Sequence, residues 1–252
     1  MIQVHDLDEV ELIRESARIV GRCLEMLSRE VRPGVSTLAL DRLTEAFIRD
    51  AGGEPAFKGY RGFPASLCAS INEEVVHGIP SAKRILREGD IVSLDIGAKR
   101  QGFYGDAART YPVGEVSSTA ARLLEVTQTA LDAGIAQAKP GNRVSDISAA
   151  IEREVTRHRF KVVRALVGHG IGRELHEEPQ VPNYGRMGEG PKLKEGMVLA
   201  IEPMVNAGTA EVLTLSDQWT VVTADRGLSA HFEHTVAIGA DGPVILSKIE
   251  AD

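Results

Sequence analysis

Two cysteines, Cys23 and Cys68, are all that a chain of 252 residues carries. They are too few for a disulfide framework and form no paired CxxC metal site. Positive charge is also scarce: 29 Lys and Arg stand against 36 Asp and Glu, giving a net charge of −7 and a pI of about 5.6. That removes the basic footprint of a nucleic-acid binder. The most basic run, 153–164, is interrupted by Glu154 and apolar residues and reads as a solvated helix face. No apolar run is long enough to cross a bilayer. Where a signal peptide would stand, acids and an amphipathic pattern begin at once. No Pro/Ser-rich linker divides the chain. What remains is an ordinary globular composition, 43% apolar and 26% charged, with length for an ample core. A cytoplasmic location and one domain spanning 1–252 are expected.

That domain repeats itself. Leu86-Arg87-Glu88-Gly89-Asp90-Ile91-Val92-Ser93-Leu94-Asp95 resembles Leu193-Lys194-Glu195-Gly196-Met197-Val198-Leu199-Ala200-Ile201-Glu202, at an offset of 107. Pro33-Gly34 returns as Pro140-Gly141 at the same offset, and His77-Gly78-Ile79 as His169-Gly170-Ile171 at 92. Each half opens on a helical pattern. Ile13, Ala17, Val20, Leu24, Leu27 and Val31 mark the first, with Asp8 and Glu11 as its expected cap. Leu124, Thr127, Leu131, Ile135 and Ala138 mark the second, after Ser117 and Ser118. Pro-Gly stops each helix, and further helices follow near 37–51 and 145–158. Strands come after. This order, run twice, predicts an α+β domain of two halves, roughly 1–115 and 116–252, around a shared sheet.

The strands carry acids where solvated residues are the ordinary expectation. Val92, Leu94 and Ile96 alternate with Ser93 and Asp95, so Asp95 faces away from the apolar side. A turn at 99–102 centred between Arg100 and Gln101 would set Asp95 directly opposite Asp106. Like charges so placed destabilise a sheet. A bound cation, one protonated carboxyl or a different register would each resolve the conflict. Glu202 holds the place of Asp95 in the second half, kept extended by Pro203. Glu233 lies in another strand-like run, 229–238. Asp95, Asp106, Glu202 and Glu233 together carry a charge that two divalent ions would neutralise. Four carboxylates with the imidazole of His169 suit Mn, Fe, Co or Zn. Paired metals ~3.5–4 Å apart activate water in aminopeptidases. The stretch Gly168-His169-Gly170-Ile171-Gly172-Arg173-Glu174-Leu175-His176 is too rich in glycine for a helix, and on a strand positions seven apart point oppositely. The two histidines need not therefore share one ion.

Taken jointly, these segments resemble the type I methionine aminopeptidases over essentially the whole chain. The matching stretches are Ser70-Ile71-Asn72-Glu73 with His77-Gly78-Ile79-Pro80, Asp95 and Asp106, Gly168 to Gly172 with His176-Glu177, Gly196-Met197 with Ile201-Glu202-Pro203-Met204, and Phe232-Glu233-His234-Thr235. The resemblance implies the pita-bread fold, a curved antiparallel sheet with helices on one side and a pseudo-two-fold axis. It implies two divalent ions (Co, Mn, Fe, Ni or Zn), one held by Asp95, Asp106 and Glu233, the other by Asp106, His169, Glu202 and Glu233. Glu202 would transfer protons, His176 would stabilise the developing oxyanion, and His77 would contact substrate from the other half. Tyr60, Phe63, Cys68 and Trp219, edged by Phe57 and Leu175, would form the methionine pocket. A monovalent cation near Asn72 and Ser229 is a further family feature. His5, His158, His231 and His234 are expected to be structural or surface residues. Ala200 stands where many members carry threonine, a change expected to be small.

The implied substrate is a peptide or nascent chain with N-terminal methionine and a small second residue. Transient ribosome docking and a monomeric state would go with it, and neither nucleic-acid recognition nor a membrane. Two rival readings remain. An Xaa-Pro-directed aminopeptidase would share all five ligands, yet such enzymes normally carry a large N-terminal domain, and here the first helix starts within ten residues. A metal-free pita-bread binding module should have lost ligands. Type II relatives need a long insertion between His176 and Glu202, where only 25 residues stand.

Overall fold

The computed structural model describes residues 2–248. Four helices form where the apolar period is 3.6. Helix α1, Leu7–Ser28, buries Ile13, Ala17, Val20, Leu24 and Leu27. Its N-cap is Asp6, whose carboxylate accepts from the Glu9 N–H at 2.9 Å. The expected caps, Asp8 and Glu11, lie inside the helix, where Asp8 and Glu9 put negative charge on the first turn. Helix α2, Thr37–Asp50, is capped by Ser36. Helix α3, Ser118–Ile135, is capped by Ser117, and α4 runs Val144–Arg157. The basic run 153–164, which straddles its end, is solvated: Arg157 reaches Glu154 and Arg164 reaches Glu152.

The repeat reappears in hydrogen bonds. Gly34 N–H donates to Leu86 C=O at 2.8 Å, and Gly141 N–H to Leu193 C=O at 3.1 Å. Leu86 N–H donates to Val35 C=O, and Leu193 N–H to Asn142 C=O. Isolated bridges join Ser36 to Ile85 and Arg143 to Lys192. Each pair differs by 107, so the Pro-Gly stop docks on the Leu-x-Glu-Gly turn in both halves. Gly34 and Gly141 both take φ of 90, a conformation that favours glycine.

Two antiparallel sheets carry the site. In the first half, Ile91–Arg100 pairs with Leu67–Ile71 on one side and Phe103–Pro112 on the other. In the second, His234–Gly239, Val198–Ile201, Val167–Gly170 and Glu177–Pro182 follow one another. Helices α1 and α2 cover a core with Leu67, Leu94, Ile96 and Ala107, and α3 and α4 cover one with Leu199, Ile201 and Val236.

The Asp95–Asp106 register differs from expectation. Gly97 pairs with Asp106, and Asp95 with Ala108. Gln101 and Gly102 make the two-residue turn, with φ of 50 and 86, the signature of the turn that follows strand twist. Gln101 adopts the left-handed conformation although it has a Cβ, so the turn sits one residue later than composition suggested. The two aspartates become diagonal neighbours, Cβ ~7–8 Å apart in such a pair, but stay on one face.

A seam of hydrogen bonds, including two pairs through threonine hydroxyls, joins the halves. Thr235 Oγ1 accepts from Asp106 N–H at 3.0 Å and donates to Asp106 C=O at 2.6 Å. Glu233 N–H donates to Ala108 C=O at 2.8 Å. Thr110 Oγ1 accepts from His231 N–H at 2.9 Å and lies 2.8 Å from His231 C=O. The acids of the two halves meet along this line.

Candidate metal centre and active site

One cleft is lined by Asp95, Asp106, His169, Glu202, Glu233, His77 and His176, and by Phe57, Tyr60, Phe63, Cys68, Leu175 and Trp219. The structure brings together every residue singled out for the metals, the chemistry and the methionine pocket. Asp106, His169 and Glu233 each offer a ligand atom within 4.8 Å of the other two. Asp95 and Glu202 line the same cavity outside that tight set. Glu202 Oε1 is 3.5 Å from His169 Nε2.

The tautomer of His169 follows from its neighbour. Nδ1 lies 2.9 Å from the Gly170 carbonyl, which can only accept, so Nδ1 carries the proton. Nε2 then turns its lone pair on the acids, the orientation a metal ligand needs. The surrounding glycines answer for the local backbone. A Cβ at Gly168 would lie 2.4 Å from the Ala200 carbonyl oxygen, and one at Gly170 would lie 2.4 Å from that of Glu178. Ala200 itself sits between His169 and Thr235 in register.

His169 and His176 come closer than strand alternation allowed. The Val167–Gly170 strand ends just past His169, the chain reverses, and Gly170 pairs with Glu177. The two rings end 4.3 Å apart between centroids. Tyr60 Oη lies 2.8 Å from His176 Nδ1. Beyond it, Phe63 packs edge-on against Trp219 at 5.1 Å, and His77 approaches Trp219 at 6.1 Å.

Burial sets the electrostatics. It raises the Asp95 carboxyl to about 7 and pushes Asp106, Glu202 and Glu233 well above the carboxylate range. Neighbouring carboxylates add to the rise at Asp106 and Glu233. Burial lowers His169 to about 3, and His77 and His176 to about 4. Asp95 Oδ1, Asp106 Oδ1 and Glu233 Oε1 are buried without a hydrogen-bond partner among the described residues. Buried polar atoms are rarely left so. Carboxylate oxygens with one imidazole lone pair fit a divalent cation of the Mn, Fe, Co or Zn kind.

His231, expected as a structural or surface residue, is 2% exposed and so is not on the surface; it lines the cleft, with Nε2 3.6 Å from Glu202 Oε2. Its spacing from Glu233, two residues along an extended run, was the available signal. His5 and His234 lie outside the cleft, and His158 lies beside Glu154.

Comparisons with known proteins agree with this arrangement. The description "Metallopeptidase family M24" matches residues 11–240. A Clostridium acetobutylicum protein named methionine aminopeptidase is 55% identical over 250 residues, covering 99% of this chain and 100% of that one. The crystal structure of methionine aminopeptidase from Thermotoga maritima superposes with a TM-score of 0.98 at 44% identity, covering 99% and 100%. A prolidase from Pyrococcus furiosus shares the fold alone, with a TM-score of 0.77, 23% identity and 66% of its own length covered. A buried acid-and-imidazole cluster at the seam of a duplicated α+β pita-bread fold, with relatives matched end to end, places the chain in metallopeptidase family M24.

Proposed function

We propose that the chain is a methionyl aminopeptidase, a metal-dependent hydrolase that removes N-terminal methionine ahead of a small second residue. One observation supports this most: the acid cluster and an apolar aromatic wall share one cleft. The unbranched thioether of methionine suits a wall of Phe57, Phe63, Cys68, Leu175 and Trp219, since sulfur packs well against aromatic rings. Asp95, Asp106 and Glu233 would hold one divalent ion, and Asp106, His169, Glu202 and Glu233 the other. Such ions, when bound, polarise a carbonyl and make water nucleophilic at neutral pH.

The protein's own groups do the rest. Glu202 takes a proton from the attacking water and returns it to the leaving amine. The Tyr60 hydroxyl lies 2.8 Å from His176 Nδ1; in the tautomer that accepts from it there, His176 Nε2–H donates to the developing oxyanion. His77, kept neutral by burial, contacts the substrate from the first half. Near Asn72, whose carbonyl accepts from Ser229 N–H at 2.9 Å, a monovalent cation would tie the two halves. Transient ribosome docking by a cytoplasmic monomer belongs to the same reading. No described helix is long and apolar enough to cross a membrane.

The metal-loaded protein should release methionine from Met-Ala-Ser and leave an Xaa-Pro peptide intact, with free amino acid quantified. Preferential cleavage of the Xaa-Pro peptide would overturn the reading in favour of a proline-directed enzyme.

A further inference from the structure

His231 has no part in the reaction described so far, yet its ring is the most anomalous polar group in the cleft. Both nitrogens are buried without a hydrogen-bond partner among the described residues. The backbone holds the ring in place from both sides. His231 pairs with Met204 across the sheet, and Thr110 Oγ1 lies within hydrogen-bond distance of both its main-chain N–H and C=O.

Glu202 lies between two imidazoles at nearly equal distances, His169 Nε2 at 3.5 Å from Oε1 and His231 Nε2 at 3.6 Å from Oε2. The two cannot serve it alike. The Gly170 carbonyl fixes the His169 proton on Nδ1, so His169 offers Glu202 a lone pair and cannot donate to it. No carbonyl fixes the proton on His231. A carboxylate oxygen facing Nε2 selects the tautomer with the proton there, and a small rotation of the Glu202 carboxylate closes the gap. Catalytic hydrogen bonds are often long before substrate binds.

We propose that His231 is a positioning residue: its Nε2–H donates to Glu202 Oε2 and aims the opposite oxygen, Oε1, toward the reacting water. The inference rests on the reading of Glu202 as the proton-transfer group. Outer partners of this kind typically contribute about 10–100-fold to activity or metal affinity when removed. Here the loss should fall on kcat, because the orientation of Glu202 matters most while the proton moves.

The test compares His231→Leu, His231→Met, His231→Gln and Glu202→Gln on Met-Ala-Ser, with metal affinity measured by calorimetry and folding by thermal melting. His231→Leu and His231→Met should lower kcat about 10–100-fold, with KM and metal affinity held. His231→Gln keeps an N–H donor and should recover most of the loss. In a Glu202→Gln background, His231→Leu should cost little more, because the two act as one unit. Metal loss in His231→Leu would make the ring a ligand and overturn the proposal. So would equal kcat in the Leu and Gln variants, or additive losses in the double variant. If Glu202→Gln alone were fully active, the assignment of Glu202 would fail rather than that of His231.

Discussion

At the scale of the residue, the cleft assigns different work to chemically identical groups through their hydrogen bonds. His169 and His176 lie 4.3 Å apart between ring centroids, tilted by 51°. One has its proton fixed by a carbonyl and presents a lone pair, and the other has Nδ1 engaged by Tyr60. His169→Ala should therefore weaken metal binding, since the nitrogen leaves the ligand set and only oxygens remain. His176→Ala should leave metal affinity nearly unchanged and lower kcat by about 10²–10³, the usual cost of one oxyanion donor. KM should move little, because the bond strengthens only as charge builds on the oxygen. Calorimetric metal titration and steady-state kinetics on a methionyl tripeptide separate the two. Metal loss in His176→Ala as severe as in His169→Ala would break the division. The five acid and imidazole candidates were legible in the sequence because carboxylates are conspicuous among strand apolars. His231 was not, since a lone histidine in a strand is ordinarily a satisfied one. Only the structure reveals that its nitrogens find no partner.

At the scale of the element, glycine in the Val167–Gly170 strand is a packing requirement. The strand runs between Val198–Ile201 and Glu177–Pro182, and the Gly168 position admits no side chain. A Cβ there would also come within 3.2 Å of Glu202 Cγ. Gly168→Ala should destabilise the protein by about 1–3 kcal/mol, as overpacking does, and lower kcat by moving His169 and Glu202 apart. Denaturant melts and kinetics on the same preparation check both. A stable, fully active Gly168→Ala protein would mean that the strands separate without disturbing the site. The 3.6 period locates α2 and α4 to within a residue, but it carries on to Val31 and Ala138, three residues past the ends of α1 and α3. The hairpin register was not legible. Lys99 and Arg100 look like turn residues, yet Lys99 lies over the Tyr104 ring at 4.9 Å and Arg100 reaches Glu15 at 3.4 Å. The cross-strand pair and the tertiary contact to helix α1 go with a strand that runs on to Arg100 and a turn at Gln101-Gly102.

At the scale of the whole molecule, duplication explains where the chemistry lies. Each half delivers acids to its own sheet, Asp95 and Asp106 from one and Glu202 and Glu233 from the other. Hydrogen bonds through Thr235 and Thr110 close the halves so that these acids meet. The offset of 107 made the two halves visible in the sequence. The seam was not, because it depends on single hydroxyls whose partners lie more than a hundred residues away. Such a seam is suited to hold divalent metal. Anomalous diffraction at the absorption edge of Co or Mn, on crystals grown with that ion, tests it most directly. Two peaks are expected, both beside Asp106 and Glu233, one reaching Asp95 and the other His169 and Glu202. An active, metal-loaded protein with no peak at Asp106 and Glu233, or with its metal bound elsewhere, would contradict it.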